Sequence, residues 1–204
     1  MNLKPEAREI MILLNKFGAL TMPQVNKLFE GSNYNPNPTI AFLCKIRQIQ
    51  YLDNNYVVLQ NKPQYSIETL YCLWVMLDKI SKNLENQGKT GTIINTTEIR
   101  SANPCSNGLE IIFINSKKTA EYLTFIDKTT ISKVSMIQDT FYVSTGVAPG
   151  KEKTCQRLYT FVVKDEETME IIGDMNLTIP YQIAYIEGEL TGVPTIEYYE
   201  LTED

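Results

Sequence analysis

The chain reads as an α+β protein: an N-terminal helical unit closed by a hairpin, a long connecting helix, and a C-terminal α+β domain with a mixed or antiparallel sheet. Three observations predict this. The first fifty residues carry three helical segments in succession, each with a marked start or stop. From Leu70 to Leu84 apolar residues then recur at threes and fours. Beyond them the pattern turns to short apolar runs of strand type. The implied boundaries are 1–64, 65–87 and 88–204.

Helix one starts at Pro5, which suits a first turn because its missing N–H would have no partner there. Ile10, Leu13, Leu14 and Phe17 form its inward stripe, and Gly18 can take the left-handed conformation that closes a helix. Helix two opens on Thr21. Its hydroxyl can accept a backbone N–H while Gln24 reaches back to the N–H of Thr21, a capping box. Val25, Leu28 and Phe29 supply the buried side before Gly31 stops the segment.

Helix three is expected from Pro38 to about Ile49, with Asn37 as N-cap. At roughly 100° per residue, Phe42, Leu43, Ile46 and Ile49 share a packing side. Ala41, Cys44, Lys45 and Gln48 fall opposite, with Thr39 in the first turn. Small residues beside a lysine and a glutamine suit close approach to a major groove, where Lys contacts guanine and Gln pairs with adenine. An ordinary solvated face has a similar composition.

Tyr51-Leu52, Asp53-Asn54-Asn55 and Tyr56 to Leu59 read as two strands around a turn, since Asn and Asp tolerate positive φ. Helix, helix, helix, hairpin in this order is the pattern of a winged helix-turn-helix, with the hairpin as wing. Asn54, Asn55 and Tyr56 at its tip, and Lys62 just after it, are candidate phosphate or groove contacts. So are Lys27 and Arg47.

Charge separates the two halves. Residues 1–64 hold seven Lys or Arg against four Asp or Glu, a net of +3, whereas residues 65–204 hold twelve against twenty, a net of −8. A mildly basic module on an acidic body confines phosphate attraction to one end. The expected partners are double-stranded DNA for the module, and a protein for the acidic domain.

Ser66 can cap the long helix, whose stripe is Leu70, Leu73, Trp74, Leu77, Ile80 and Leu84. Its expected work is core packing against both halves; a homodimer seam is the alternative. Further on, Leu109–Asn115, Phe141–Thr145, Arg157–Val163, Tyr181–Glu187 and Thr195–Leu201 are strand candidates. A helix is expected from Ser116 to Asp127, and Asp165-Glu166-Glu167 suits another helix start.

Several function classes lose their chemistry. The chain has no histidine, which removes the commonest general base, the triads built on it and mixed zinc sites. Cys44, Cys72, Cys105 and Cys155 stand at spacings that match no metal or redox pattern. Gly88-Lys89-Thr90 lacks the upstream glycine of a phosphate loop, since position 83 is Asn. A magnesium nuclease needs grouped carboxylates and a nearby lysine. Glu110, Asp127, Asp165 and Asp174 are the residues that would have to gather. No run of eighteen apolar residues and no secretion-type leader is present, so the expected setting is cytoplasmic, without membrane contact. No metal or cofactor pattern is found.

Over residues 6–60, the segment Leu20-Thr21-Met22-Pro23-Gln24-Val25-Asn26-Lys27-Leu28-Phe29, the helix around Leu43-Cys44-Lys45-Ile46, and Tyr51-Leu52 entering a hairpin resemble the replication-relaxation family. Its members are winged-helix proteins of plasmids and conjugative elements. This chain departs from them in lacking an arginine-rich third helix and a glycine before the wing. The resemblance implies a DNA-binding regulator or replication accessory protein of a mobile element, without enzymatic activity. The rivals are a protein-interaction adaptor whose winged helix no longer binds DNA and a metal-dependent nuclease.

Overall fold

The computed structural model describes residues 3–88, 92–96, 99, 110–115, 159–175, 177 and 181–200. The helix expected over residues 116–127 and the strand expected over residues 141–145 lie outside them, as do Lys89, Thr90, Cys105, Asp127 and Cys155.

Helix α1 spans Pro5–Phe17 and buries Ala7, Ile10, Leu13, Leu14 and Phe17. It ends where Gly18 turns to a φ of 83° and donates its N–H to the Leu14 carbonyl. A side chain there would suffer that backbone angle and press on the Gln64 carbonyl oxygen at 3.3 Å. Strand β1, Ala19–Thr21, follows at once and was not anticipated. Three residues are too few for a periodicity; the strand exists because Ala19 pairs with Val58 and Thr21 with Tyr56.

Helix α2, Met22–Leu28, carries the expected capping box in full. The Thr21 N–H donates to Gln24 Oε1 at 3.0 Å, and the Gln24 N–H to Thr21 Oγ1 at 3.4 Å. Helix α3 is Asn37–Lys45. Strands β2, Ile49–Leu52, and β3, Tyr56–Leu59, form the hairpin, and β1 joins it to give an antiparallel sheet of order β1-β3-β2.

Helix α4, Ile67–Asn86, is capped by Ser66, whose hydroxyl accepts the Thr69 N–H. Every residue from Leu70 to Leu77 is buried. One apolar cluster runs from Ala7 through α4 to Leu190, taking in Ile111, Val162, Ala184 and Ile186 of a second sheet. The helix is therefore enclosed by its own chain over these turns, and the stripe proposed for a dimer seam is spent on internal packing. A short 3-10 turn, Ile93–Asn95, follows.

The second sheet is mixed, with order β4-β5-β6-β7. Strands β4, Glu110–Phe113, β5, Tyr159–Val163, and β6, Tyr181–Glu187, are parallel; β7, Thr195–Glu200, is antiparallel to β6. Helix α5, Glu166–Asp174, lies between β5 and β6, with Asp165 accepting the Thr168 N–H at 2.7 Å as N-cap. Val162 and Ala184 belong to the cluster containing α4, whereas Phe161, Val163 and Ile183 pack with Ile172 of α5. A parallel sheet buried on both faces needs such a layer on each side. The molecule is thus a mixed α+β fold with two sheets, and among the described residues no helix is long and apolar enough to cross a membrane.

Candidate nucleic-acid interface

Helix α3 begins one residue earlier than expected. Pro36 occupies the cap position, Asn37 and Pro38 open the helix, and the Asn35 side chain accepts the Asn37 N–H at 3.0 Å. The Tyr34 and Thr39 hydroxyls contact one another and hold the first turn from one side, so Thr39 is half-buried.

Only Ile40 and Leu43 of α3 are fully buried. Phe42, expected among the packing residues, is 41% exposed. The expectation assumed a helix reaching Ile49, with Ile46 and Ile49 sharing the side of Phe42. The helix stops at Lys45, so those two residues leave the cylinder and the packed side is set by Ile40 and Leu43 alone. Phe42 lies about 200° around from Ile40 and faces outward. Pro38, Ala41, Phe42 and Lys45, all exposed, then make one outward line at i, i+3, i+4, i+7.

The stop has a definite cause. The Arg47 N–H donates to the Cys44 carbonyl and the Gln48 N–H to the Leu43 carbonyl, both at 3.0 Å. These are the two bonds of a Schellman closure, whose left-handed residue is usually glycine. Here it is Arg47, at a φ of 56°. Gln48 consequently falls off the helical face on which Ala41 and Lys45 stand. It remains exposed, and its carbonyl accepts the Gln60 N–H at 2.9 Å.

The hairpin turn places both Asp53 and Asn54 at positive φ, 51° and 60°. The Asn55 N–H closes on the Leu52 carbonyl at 3.2 Å. This is the primed turn that suits the twist of two strands. Sequence reasoning missed what fastens it. Tyr65 donates its hydroxyl to Asp53 Oδ2 at 2.9 Å, and its ring stacks on Tyr56 with centroids 4.2 Å apart. The bond to Asp53, some desolvation, and the charge of that carboxylate raise the Tyr65 hydroxyl above the usual tyrosine range. Asn54, Asn55 and Lys62 stay exposed, whereas Tyr56 is half-buried under Tyr65.

Not all the candidate cations are equivalent. Lys27 is half-buried on α2 and pairs with Glu30, which neutralises its charge locally. Lys45, Arg47 and Lys62 are exposed and meet no carboxylate among the described residues. No acidic residue occurs between Glu30 and Asp53, although the chain as a whole carries a net charge of −5. Cys44 is half-buried, and desolvation pushes its thiol upward, away from reactivity.

Asp165 is occupied as the cap of α5, Asp174 ends that helix, and the described residues hold no group of three or more Cys, Asp or Glu side chains fit for a metal. Asp127 and the Glu110 side chain lie outside the description. No family model matches the chain, and neither a curated protein nor a solved structure matches it.

Proposed function

We propose that residues 5–62 form a winged helix-turn-helix that binds duplex DNA through the outward line of α3 and the β2–β3 hairpin. The whole chain acts as a non-enzymatic regulator or replication accessory protein, its acidic C-terminal domain serving a protein partner. The observation that carries this reading is a helix face that no other part of the described fold covers, inside a stretch free of acidic residues. Arg47 adds to it. A cation held in a left-handed position where glycine would be easier is strain of the kind found at functional sites.

The expected strength is modest. In place of the guanine contact expected for Lys45 from its face alone, its position in the last turn of α3, two residues before Arg47, suits a phosphate; Lys45, Arg47 and Lys62, all exposed, would then make three phosphate contacts, hence a slope of log affinity against log salt of about −2.7 per protomer. Specific occupancy then needs two modules on one site or a partner protein.

The test is fluorescence anisotropy of the full chain on labelled duplexes between 25 and about 200 mM salt, the range in which counterion release dominates. Lys45→Ala combined with Arg47→Ala should lower the slope by about 1.8 and weaken binding to every sequence. An unchanged slope with a folded variant rejects the assignment.

One observation favours a second reading. Phe42 is a large apolar group in the middle of the proposed contact face, as a protein-docking helix would have. An adaptor of this kind would show no duplex affinity at low salt.

A further inference from the structure

Resting on the duplex-binding reading, the outward line of α3 also specifies what the helix recognises. Of Pro38, Ala41, Phe42 and Lys45, three are apolar and one is a cation. A phosphate gains nothing from an apolar ring, and neither do the donors and acceptors on base edges. One base alone presents an apolar group in the major groove, the 5-methyl of thymine.

We infer that Phe42, with the small Ala41 beside it, is a specificity-determining residue that reads thymine methyl groups. Ala41 leaves room for the helix to approach, Lys45 one turn on supplies the phosphate anchor, and Phe42 covers the methyl. Protein docking would use the same ring. The local charge favours the nucleic acid, because Lys45 and Arg47 follow Phe42 within five residues and no carboxylate occurs from Gly31 to Leu52. An exposed ring also carries little of the fold, so its removal tests recognition without unfolding the chain.

The experiment compares full-length protein on poly(dA-dT) duplex and on poly(dA-dU) duplex, which differ only in that methyl. Poly(dG-dC) with and without 5-methylcytosine serves as the reciprocal pair. Each methyl covered by an apolar ring is worth about fourfold in affinity, so wild type should prefer the methylated member of each pair by at least that factor. Phe42→Ala should bind both members alike with its salt slope intact, and Phe42→Leu should keep part of the preference. Equal wild-type affinity within each pair overturns the inference and leaves duplex binding standing. A preference that survives Phe42→Ala overturns the role of this residue. Absence of binding to any duplex at low salt overturns the underlying reading as well and points to a protein partner.

Discussion

The side-chain amide of Gln24 donates a 2.8 Å hydrogen bond to the main-chain carbonyl of Leu70, fastening the cap of α2 to the first turn of α4. The same side chain accepts the Thr21 N–H, so one fully buried glutamine closes a local cap and joins two elements 46 residues apart.

Gln24→Ala should therefore cost more than an ordinary cap. It leaves the Thr21 N–H buried without its acceptor, for which about 2 kcal/mol is expected. Urea unfolding monitored by Trp74 fluorescence measures it; a loss below about 0.5 kcal/mol would mean the cap is dispensable.

Arg47→Gly should move stability and binding in opposite directions. Glycine relieves the left-handed strain at a φ of 56°, a gain of about 1 kcal/mol. It also deletes one phosphate contact, so the salt slope should fall by about 0.9. If the variant gains stability and binds as before, Arg47 has no part in the interface.

In the last strand, β7, Tyr198 should make the stability of the fold decline at alkaline pH. Burial first, then the Asp78 charge, then the 2.8 Å bond to Asp78 raise its hydroxyl far above the usual tyrosine range. The Lys82 ammonium sits 4.6 Å from the ring centroid. Because the folded state holds this proton more tightly than the unfolded chain, the associated stability is complete below about pH 10 and falls as pH rises beyond it. Tyr198→Phe should flatten the decline in urea midpoint across this range. In a wild-type minus variant difference, no tyrosinate absorbance should appear before unfolding.

Thr160 is the acceptor of a buried polar group between α4 and the second sheet. Its hydroxyl oxygen receives the Lys79 ammonium at 2.7 Å and the Gln182 amide at 3.0 Å. Thr160→Val preserves shape but removes both bonds, so about 2 kcal/mol should be lost, and Thr160→Ser should restore most of it. A Thr160→Val variant as stable as wild type, with Thr160→Ser the weaker of the two, would show that the packing of the methyl, not the acceptor, matters here.

The starts of α1, α2, α4 and α5 and the stop of α1 were readable because each depends on residues within one turn, whereas α2 ends at Leu28, short of the expected Gly31. The Gly18 stop, the Thr21–Gln24 box and the Ser66 cap form as expected, and a helix does start at Asp165-Glu166-Glu167, with Asp165 as its cap. Strand β6 was likewise expected over its full span. At the candidate interface, the sequence marked Ala41, Lys45, Arg47 and Lys62 as polar or small surface positions, and they are exposed.

What only the tertiary structure decided involves partners far apart in the chain or a break in local period. Strand β1 depends on Val57 and Val58, some forty residues ahead of it. The outward turn of Phe42 depends on where the Schellman closure at Arg47 ends the helix, since periodicity carried past that point misassigns every face after it. Local backbone chemistry thus set the helix caps and the hairpin turn by itself, while strand β1 and the burial of each face emerged only from packing, because burial is a property of the assembled core and not of the segment.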